Sequence, residues 1–181
     1  MQKYWYVIYT RPKCEKKVTA SLAKKKIESF FPQQLKERTS FWKRKVYQEP
    51  LFKSYVFVHI EACELEKLKR IHGVVNLLYW KGKAAVISQE EINIIKEFIA
   101  TYHDIKIEKT PVNANNVTKS LDAFKYYYSG NVLTIKNTMA KANLTSFGFT
   151  LMAKVEKADS LSNAAFMKKI HYRHYKQQTN I

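Results

Sequence analysis

The chain has 181 residues, enough for one good core or two small ones, and its 46% hydrophobic and 14% aromatic content excludes a disordered protein. Lys and Arg number 32 against 15 Asp and Glu, a formal net charge of +17, so a polyanionic partner is expected, nucleic acid ahead of an anionic membrane. No run of ~18 apolar residues could span a bilayer, no signal-peptide core stands in the opening MQKYWYVIYTRPK, and two cysteines, Cys14 and Cys63, suit free thiols in a reducing cytoplasm better than a disulfide framework or zinc finger.

Tyr4 to Tyr9 (YWYVIY) is β-branched and aromatic throughout and predicts a central strand. Thr10-Arg11-Pro12 predicts a helix start, with Thr10 as cap and Pro12 in the first turn. Cys14, Val18 and Leu22 recur every fourth residue as its buried stripe, and Lys13, Lys16, Lys17, Lys24 and Lys25 form its outer face. Ile27 to Phe31 is a second strand, ended by Pro32. Gln33 to Gln48 has polar ends, with Phe41 and Trp42 between Arg38 and the run Lys43, Arg44, Lys45; it predicts a protruding β-hairpin or long loop.

The next segment, EPLFKSYVFVHI (Glu49 to Ile60), predicts the third strand. From Tyr55 its side chains alternate, Tyr55, Phe57 and His59 on one side and Val56, Val58 and Ile60 on the other. Neither side suits water, so the aromatic one is either core or a surface kept for a partner. Leu65, Leu68 and Ile71 mark a short helix closed by His72-Gly73. Val74 to Trp80 predicts a fourth strand and Ala84 to Ile87 a short extended piece. Ser88-Gln89-Glu90-Glu91 is a capping box opening a third helix, with Ile92, Ile95, Ile99 and Tyr102 along one side.

From Ile105 to Ser120 the pattern dissolves into Asn, Thr and Lys, as a linker does. Tyr126 to Lys136, with a turn at Ser129-Gly130, and Phe147 to Val155 predict further strands. The expected fold class is therefore α+β. Residues 1–105 form a domain with a mainly antiparallel four-stranded sheet and three helices, residues 106–120 a mobile linker, and residues 121–181 a small, mostly β domain that folds separately.

The search for catalytic chemistry is negative. Neither GxxxxGK[ST] nor GxGxxG occurs, and no paired-cysteine or H-E-x-x-H motif is present. His59, Glu61 and Cys63 alternate as zinc ligands on one strand face would, but they end a strand where polar residues ordinarily meet solvent. No catalytic residue, metal or cofactor is expected, and the chain reads as a binding protein. The positive signal is charge beside aromatics: Arg38, Lys43, Arg44 and Lys45 around Trp42 offer phosphate contacts plus a stacking group. The bland reading of the same segment is a solvated hairpin whose Trp42 folds back on the sheet.

WYVIYTRPKCEKKV (Trp5 to Val18), EPLFKSYVFVHI and HGVVNLLYW (His72 to Trp80) together resemble the N-terminal (NGN) domain of NusG-type transcription elongation factors, closest to the specialised RfaH-like and UpxY-like antiterminators. The resemblance covers about the first hundred residues. It implies docking on the clamp helices of RNA polymerase, with suppression of pausing and termination, through Tyr9, Phe52, Tyr55 and the nearby Trp80. It also implies contact with the non-template DNA strand through Arg11, Arg38, Lys43, Arg44 and Lys45, around the Trp42 already read as a nucleic-acid stacking group, nascent RNA being the other nucleic acid in reach. A second polymerase contact would come from Glu64 to Lys69, where the His-Thr-Thr signature of some relatives is absent. The segment from Ser129 to Ile135 resembles the first strand of the family's KOW barrel, but KNTMAKANLTSFG lacks that barrel's usual glycine loop. The C-terminal domain is thus expected to be a degenerate KOW-like barrel whose partner would be a ribosome or a termination factor. No amphipathic helical hairpin stands between Leu121 and Ile181, so strong masking of the docking patch is not expected. The alternative function is a general RNA-binding or ribosome-associated module independent of polymerase.

Overall fold

The computed structural model describes residues 2–40, 43–80, 82–109, 125–128, 131–136 and 139–154. At its centre runs β1 (Lys3–Thr10), in an antiparallel sheet with β2 (Glu28–Phe30), β5 (Tyr55–Glu61) and β6 (Val74–Leu77) in the order β2-β5-β1-β6. A fifth short strand, β9 (Val86–Ile87), also pairs with β1. The four expected strands are represented in this sheet, but the third starts only at Tyr55, the fourth stops at Leu77, and only Val86–Ile87 of the extended piece before the third helix joins it.

The pleat sorts the sheet's side chains into two faces. Register places Trp5 opposite His59, Val7 opposite Phe57 and Tyr9 opposite Tyr55 on one face, and Tyr6 opposite Val58 and Ile8 opposite Val56 on the other. The second face buries against Val18 and Leu22 of α1 (Glu15–Lys24) and Leu68 of α2 (Leu65–Lys69). Part of the first face is covered by Ile92, Ile95 and Phe98 of α3 (Gln89–Thr101). Ser88 caps α3 as expected, its Oγ accepting the Glu91 N–H at 3.2 Å.

α1 begins four residues later than the Thr10 cap implied. Thr10 is the last residue of β1, and Lys13 sits at φ 64°, a left-handed conformation that no helix tolerates in its first turn. The chain makes a tight turn instead, Cys14 donating its N–H to the Arg11 carbonyl, and the helix starts at Glu15. Gly73 presses against this turn: a Cβ there would meet Val18 Cγ2 at 3.0 Å, and its φ of 95° suits only glycine without strain.

The expected hairpin forms as its own two-stranded sheet, β3 (Gln33–Ser40) paired with β4 (Lys43–Pro50) from Gln33↔Pro50 to Ser40↔Lys43. A smaller pair, β7 (Tyr79–Trp80) with β8 (Lys83–Ala84), follows β6.

The second half departs from the expectation at two places. Lys106–Lys109, placed in the linker, is a strand (β10), and Met139–Leu144, for which no strand was expected, is another (β13). With β11 (Lys125–Tyr128), β12 (Asn131–Lys136) and β14 (Phe149–Lys154) they form an antiparallel sheet in the order β10-β14-β13-β12-β11. Residues 110–124, the rest of the expected linker and the start of the last domain, lie outside the described residues, as does the basic tail after Lys154. The two sheets share one core: Ala140, Ala142, Leu144, Phe147, Leu151 and Ala153 pack in the same cluster as Trp5, Phe52, Phe57, Ile92 and Ile95. Ile105, where the linker was expected to begin, is itself buried in that core.

Candidate binding surfaces

Phe52 sits in a loop before β5 that three separate elements hold in place. The Leu51 N–H donates to the Pro32 carbonyl at 2.9 Å, and the Thr10 N–H to the Ser54 carbonyl at 2.8 Å. The buried Glu15 accepts the Ser54 N–H through Oε1 at 2.8 Å. Ser54 itself has φ 66°, so the loop's shape depends on these contacts rather than on glycine. The Glu15 bond explains why a carboxylate at the first turn of α1 is buried: it serves the loop as well as the helix dipole.

The three expected docking aromatics converge. Tyr9 and Tyr55 meet edge-on with ring centroids 5.5 Å apart, and Phe52 lies against Phe57 at 5.8 Å. Their exposure differs sharply: Tyr9 is 40% exposed, Tyr55 half-buried and Phe52 only 3% exposed. Trp80, 54% exposed, stands apart. Tyr9 pairs with Asn76 of β6, whereas Trp80 lies past the end of β6, in the separate β7–β8 pair.

Phe52 is hidden by the second half of the chain. Phe147, in the turn between β13 and β14, packs on Phe52, Tyr55 and Phe57 at 5.0, 5.5 and 5.2 Å, and Phe149 packs on Phe52 at 5.5 Å. Gly148 between them has φ 71°, which lets both rings turn toward the same face. Strong masking was not expected, yet Phe52 is covered while Tyr9 stays 40% exposed. A cover is present, built from strands and two phenylalanines rather than from a helical hairpin.

On the β3–β4 hairpin, Arg38 pairs directly with Lys45, and Lys43 lies on the same side of the pleat two residues along. Like charges directly across a ladder repel. Among the described residues no carboxylate pairs with Arg38, Lys43, Arg44 or Lys45, whereas Lys36 lies 3.4 Å from Glu49. All four unpaired cations are exposed. Arg11, at the end of β1, is exposed beside α1 rather than on the hairpin, and its N–H donates to the Gly73 carbonyl. Trp42 lies outside the described residues. Sequence reasoning passed over Tyr47, which is 40% exposed on the Arg38–Lys45 side and stands opposite Lys36. Its signal was present in period two: Lys43, Lys45 and Tyr47 alternate along one strand.

The hairpin's base is fixed to the body. The buried Gln34 side chain donates to the Ile105 carbonyl at 3.1 Å and accepts the Ile105 N–H at 2.9 Å. The hairpin is thereby tied at its base to the residue that precedes β10.

His59 is engaged in other ways than as a ligand. It stacks on Trp5 at 4.8 Å and its Nδ1 lies 2.8 Å from Glu28 Oε2, while Cys63 Sγ contacts Glu61 at 3.5 Å. Among the described residues no three His, Cys, Asp or Glu side chains converge as a metal site, and no helix is long and apolar enough to cross a membrane.

A family model described as "NusG: Transcription termination factor nusG" matches residues 3–96. No curated protein matches the chain. Among solved structures, one of Thermotoga maritima NusG, described by its domain interaction, is similar at 19% identity, covering 86% of this chain and 99% of that one, with a TM-score of 0.43. A crystal structure of an MjSpt4:Spt5 complex is similar at 17% identity over 83% of this chain and 99% of that one, with a TM-score of 0.30. Neither likeness is close enough to carry a functional conclusion.

Proposed function

This chain belongs to the NusG family, and we propose from that premise that it acts on elongating RNA polymerase as an antitermination factor. It docks on the polymerase clamp helices through Tyr9, Tyr55 and Phe52, and it lays the β3–β4 hairpin along the non-template DNA strand. Holding the clamp closed in this way suppresses pausing and termination. The observation that carries the reading is the convergence of three aromatics from β1, the Phe52 loop and β5 on one face, with Tyr9 still 40% exposed. An exposed tyrosine and a half-buried one beside a buried phenylalanine form an aromatic cluster with the tyrosines that interface hot spots favour. The hairpin supports the second contact. Its four unpaired cations suit phosphates, and Tyr47 offers a ring on which an unpaired base can stack.

Phe52 can reach polymerase only when Phe147 and Phe149 move away, so docking as proposed includes displacement of the β13–β14 turn. The degenerate KOW-like identity of the C-terminal sheet, and a ribosome or termination factor as its partner, belong to the same proposal. The specialised RfaH-like or UpxY-like character does too. A purified transcription assay tests it: adding the chain to core polymerase on a template with a strong pause should shorten the pause, and Tyr9→Ala with Tyr55→Ala should abolish the effect. A chain that binds single-stranded nucleic acid yet never alters elongation would favour the general RNA-binding alternative.

A further inference from the structure

One buried ionisable group lies between the aromatic face and its cover. Glu91, the third residue of α3, is 0% exposed. Its backbone N–H is capped by Ser88, while its side chain crosses to the β13–β14 turn. There Oε1 accepts the Ser146 N–H at 2.8 Å and the Thr145 hydroxyl at 3.4 Å. Ser146 immediately precedes Phe147, so the carboxylate grips the turn from which Phe147 and Phe149 reach Phe52 and Tyr55. The other oxygen, Oε2, is sealed from solvent and makes no hydrogen bond of normal geometry among the described residues.

We propose that Glu91 is a latch whose grip on Ser146 holds the β13–β14 turn over the aromatic face, and whose half-satisfied charge keeps that closure weak enough to reverse. The proposal takes its purpose from the docking reading above, since a cover matters only if the face beneath it has a partner.

Two opposed effects meet at this residue. A backbone N–H donating to a carboxylate makes a charge-assisted hydrogen bond, roughly twice as strong as a neutral one. Burying a carboxylate with one oxygen unpaired is costly, because the low dielectric that strengthens the made bond also penalises the unmade one. Burial is the larger influence on its protonation: it pushes the Glu91 carboxyl above the usual carboxylate range, against the opposing pull of Ser146, Ser88 and Thr145. A closed state that disfavours the charge is one that the charge helps to open. A neutral side chain of the same shape, still able to accept from Ser146, should therefore close more firmly. A side chain with no acceptor leaves the Ser146 N–H buried and unpaired, and closes less firmly.

Hydrogen exchange on the full chain near neutral pH separates these cases without any partner present. Exchange of the β13 and β14 amides should slow in Glu91→Gln and quicken in Glu91→Ala by about ten- to a hundredfold, the range expected for an unpaired buried donor. The amides of β1 and β5 should stay as protected as in the parent chain. The proposal is overturned if Glu91→Gln and Glu91→Ala both match the parent, or if both loosen the turn. It is equally overturned if β1 and β5 quicken together with β13 and β14, since Glu91 would then be a general core residue. Binding to immobilised core RNA polymerase is the second readout. If exchange shifts as expected but no version of the chain binds polymerase, the latch stands and the docking reading falls.

Discussion

Replacing Phe147 with alanine separates the cover from the face it covers. Phe147 is buried and touches Phe52, Tyr55, Phe57 and Phe149, with centroids 4.6 to 5.5 Å apart. Truncating a buried phenylalanine costs about 3–5 kcal/mol, and each edge-on aromatic pair removed carries roughly 0.5–1.5 kcal/mol of specific interaction. Most of that loss should fall on closure, because the first sheet keeps its packing against α1, α2 and α3 through contacts that Phe147 does not make. A closure weakened by ~3 kcal/mol raises the open fraction about a hundredfold wherever the open form is scarce. Apparent affinity for a partner of the open form rises in proportion, up to the point where opening is complete. Titration of labelled chain against core RNA polymerase, with parent and Phe147→Ala side by side, measures this ratio. Equal affinities would refute the reasoning, provided circular dichroism shows both chains folded; so would an affinity that fell in Phe147→Ala.

Three further outcomes are expected. Changing Lys43, Arg44 and Lys45 together to Gln should weaken single-stranded DNA binding and lower its log-log salt slope by roughly one unit per phosphate no longer neutralised, while polymerase binding in high salt persists. Tyr47→Ala should cost about 1–3 kcal/mol of single-strand affinity with the salt slope unchanged, as loss of a stacking platform does; a changed slope would mean Tyr47 only positions the cations. Because the Glu91 carboxyl is raised in the closed state, its contribution to closure is full below the ordinary carboxylate range and fades as pH rises through its raised value. Protection of β14 amides, corrected for intrinsic exchange, should therefore grow as pH falls through that window in the parent chain and stay flat in Glu91→Gln.

The first sheet was legible because its signals are local and strong. Alternation from Tyr55 to Ile60 gave a strand whose two faces each meet a separate core, and Val18 and Leu22 gave the buried side of α1. The start of α1 was not legible. Thr10 and Pro12 are good helix-opening residues, but Lys13 adopts a left-handed conformation that postpones the helix to Glu15. β13 was missed although its pattern is period two. Ala140, Ala142 and Leu144 face the core between Lys141 and Asn143, and alanines give alternation little weight in the absence of a visible partner. β10 has only the partly buried Ile107 as an apolar anchor, and its partner Leu151 lies 44 residues later in the chain.

At the candidate surfaces the same division holds. Tyr9, Phe52 and Tyr55 could be grouped from sequence through the resemblance, but their cover could not. Phe147 and Phe149 flank a glycine in SFGFT, and nothing in that run says which face its rings will seek. The Glu91 contact with Ser146 joins residues 55 apart in sequence, so the capping box disclosed only the local half of what Glu91 does. Buried carboxylates declare themselves through the partners that tertiary structure brings, not through spacing.

The central claim is that this chain docks on RNA polymerase through an aromatic face rather than by charge alone. Retention on immobilised core RNA polymerase in high salt tests it most directly, because screening removes the contribution of +17 net charge and leaves apolar docking in place. The account predicts that the chain stays bound, that Phe147→Ala stays bound more firmly, and that Tyr9→Ala with Tyr55→Ala washes off while remaining folded. Release of all three at the same salt concentration would contradict it.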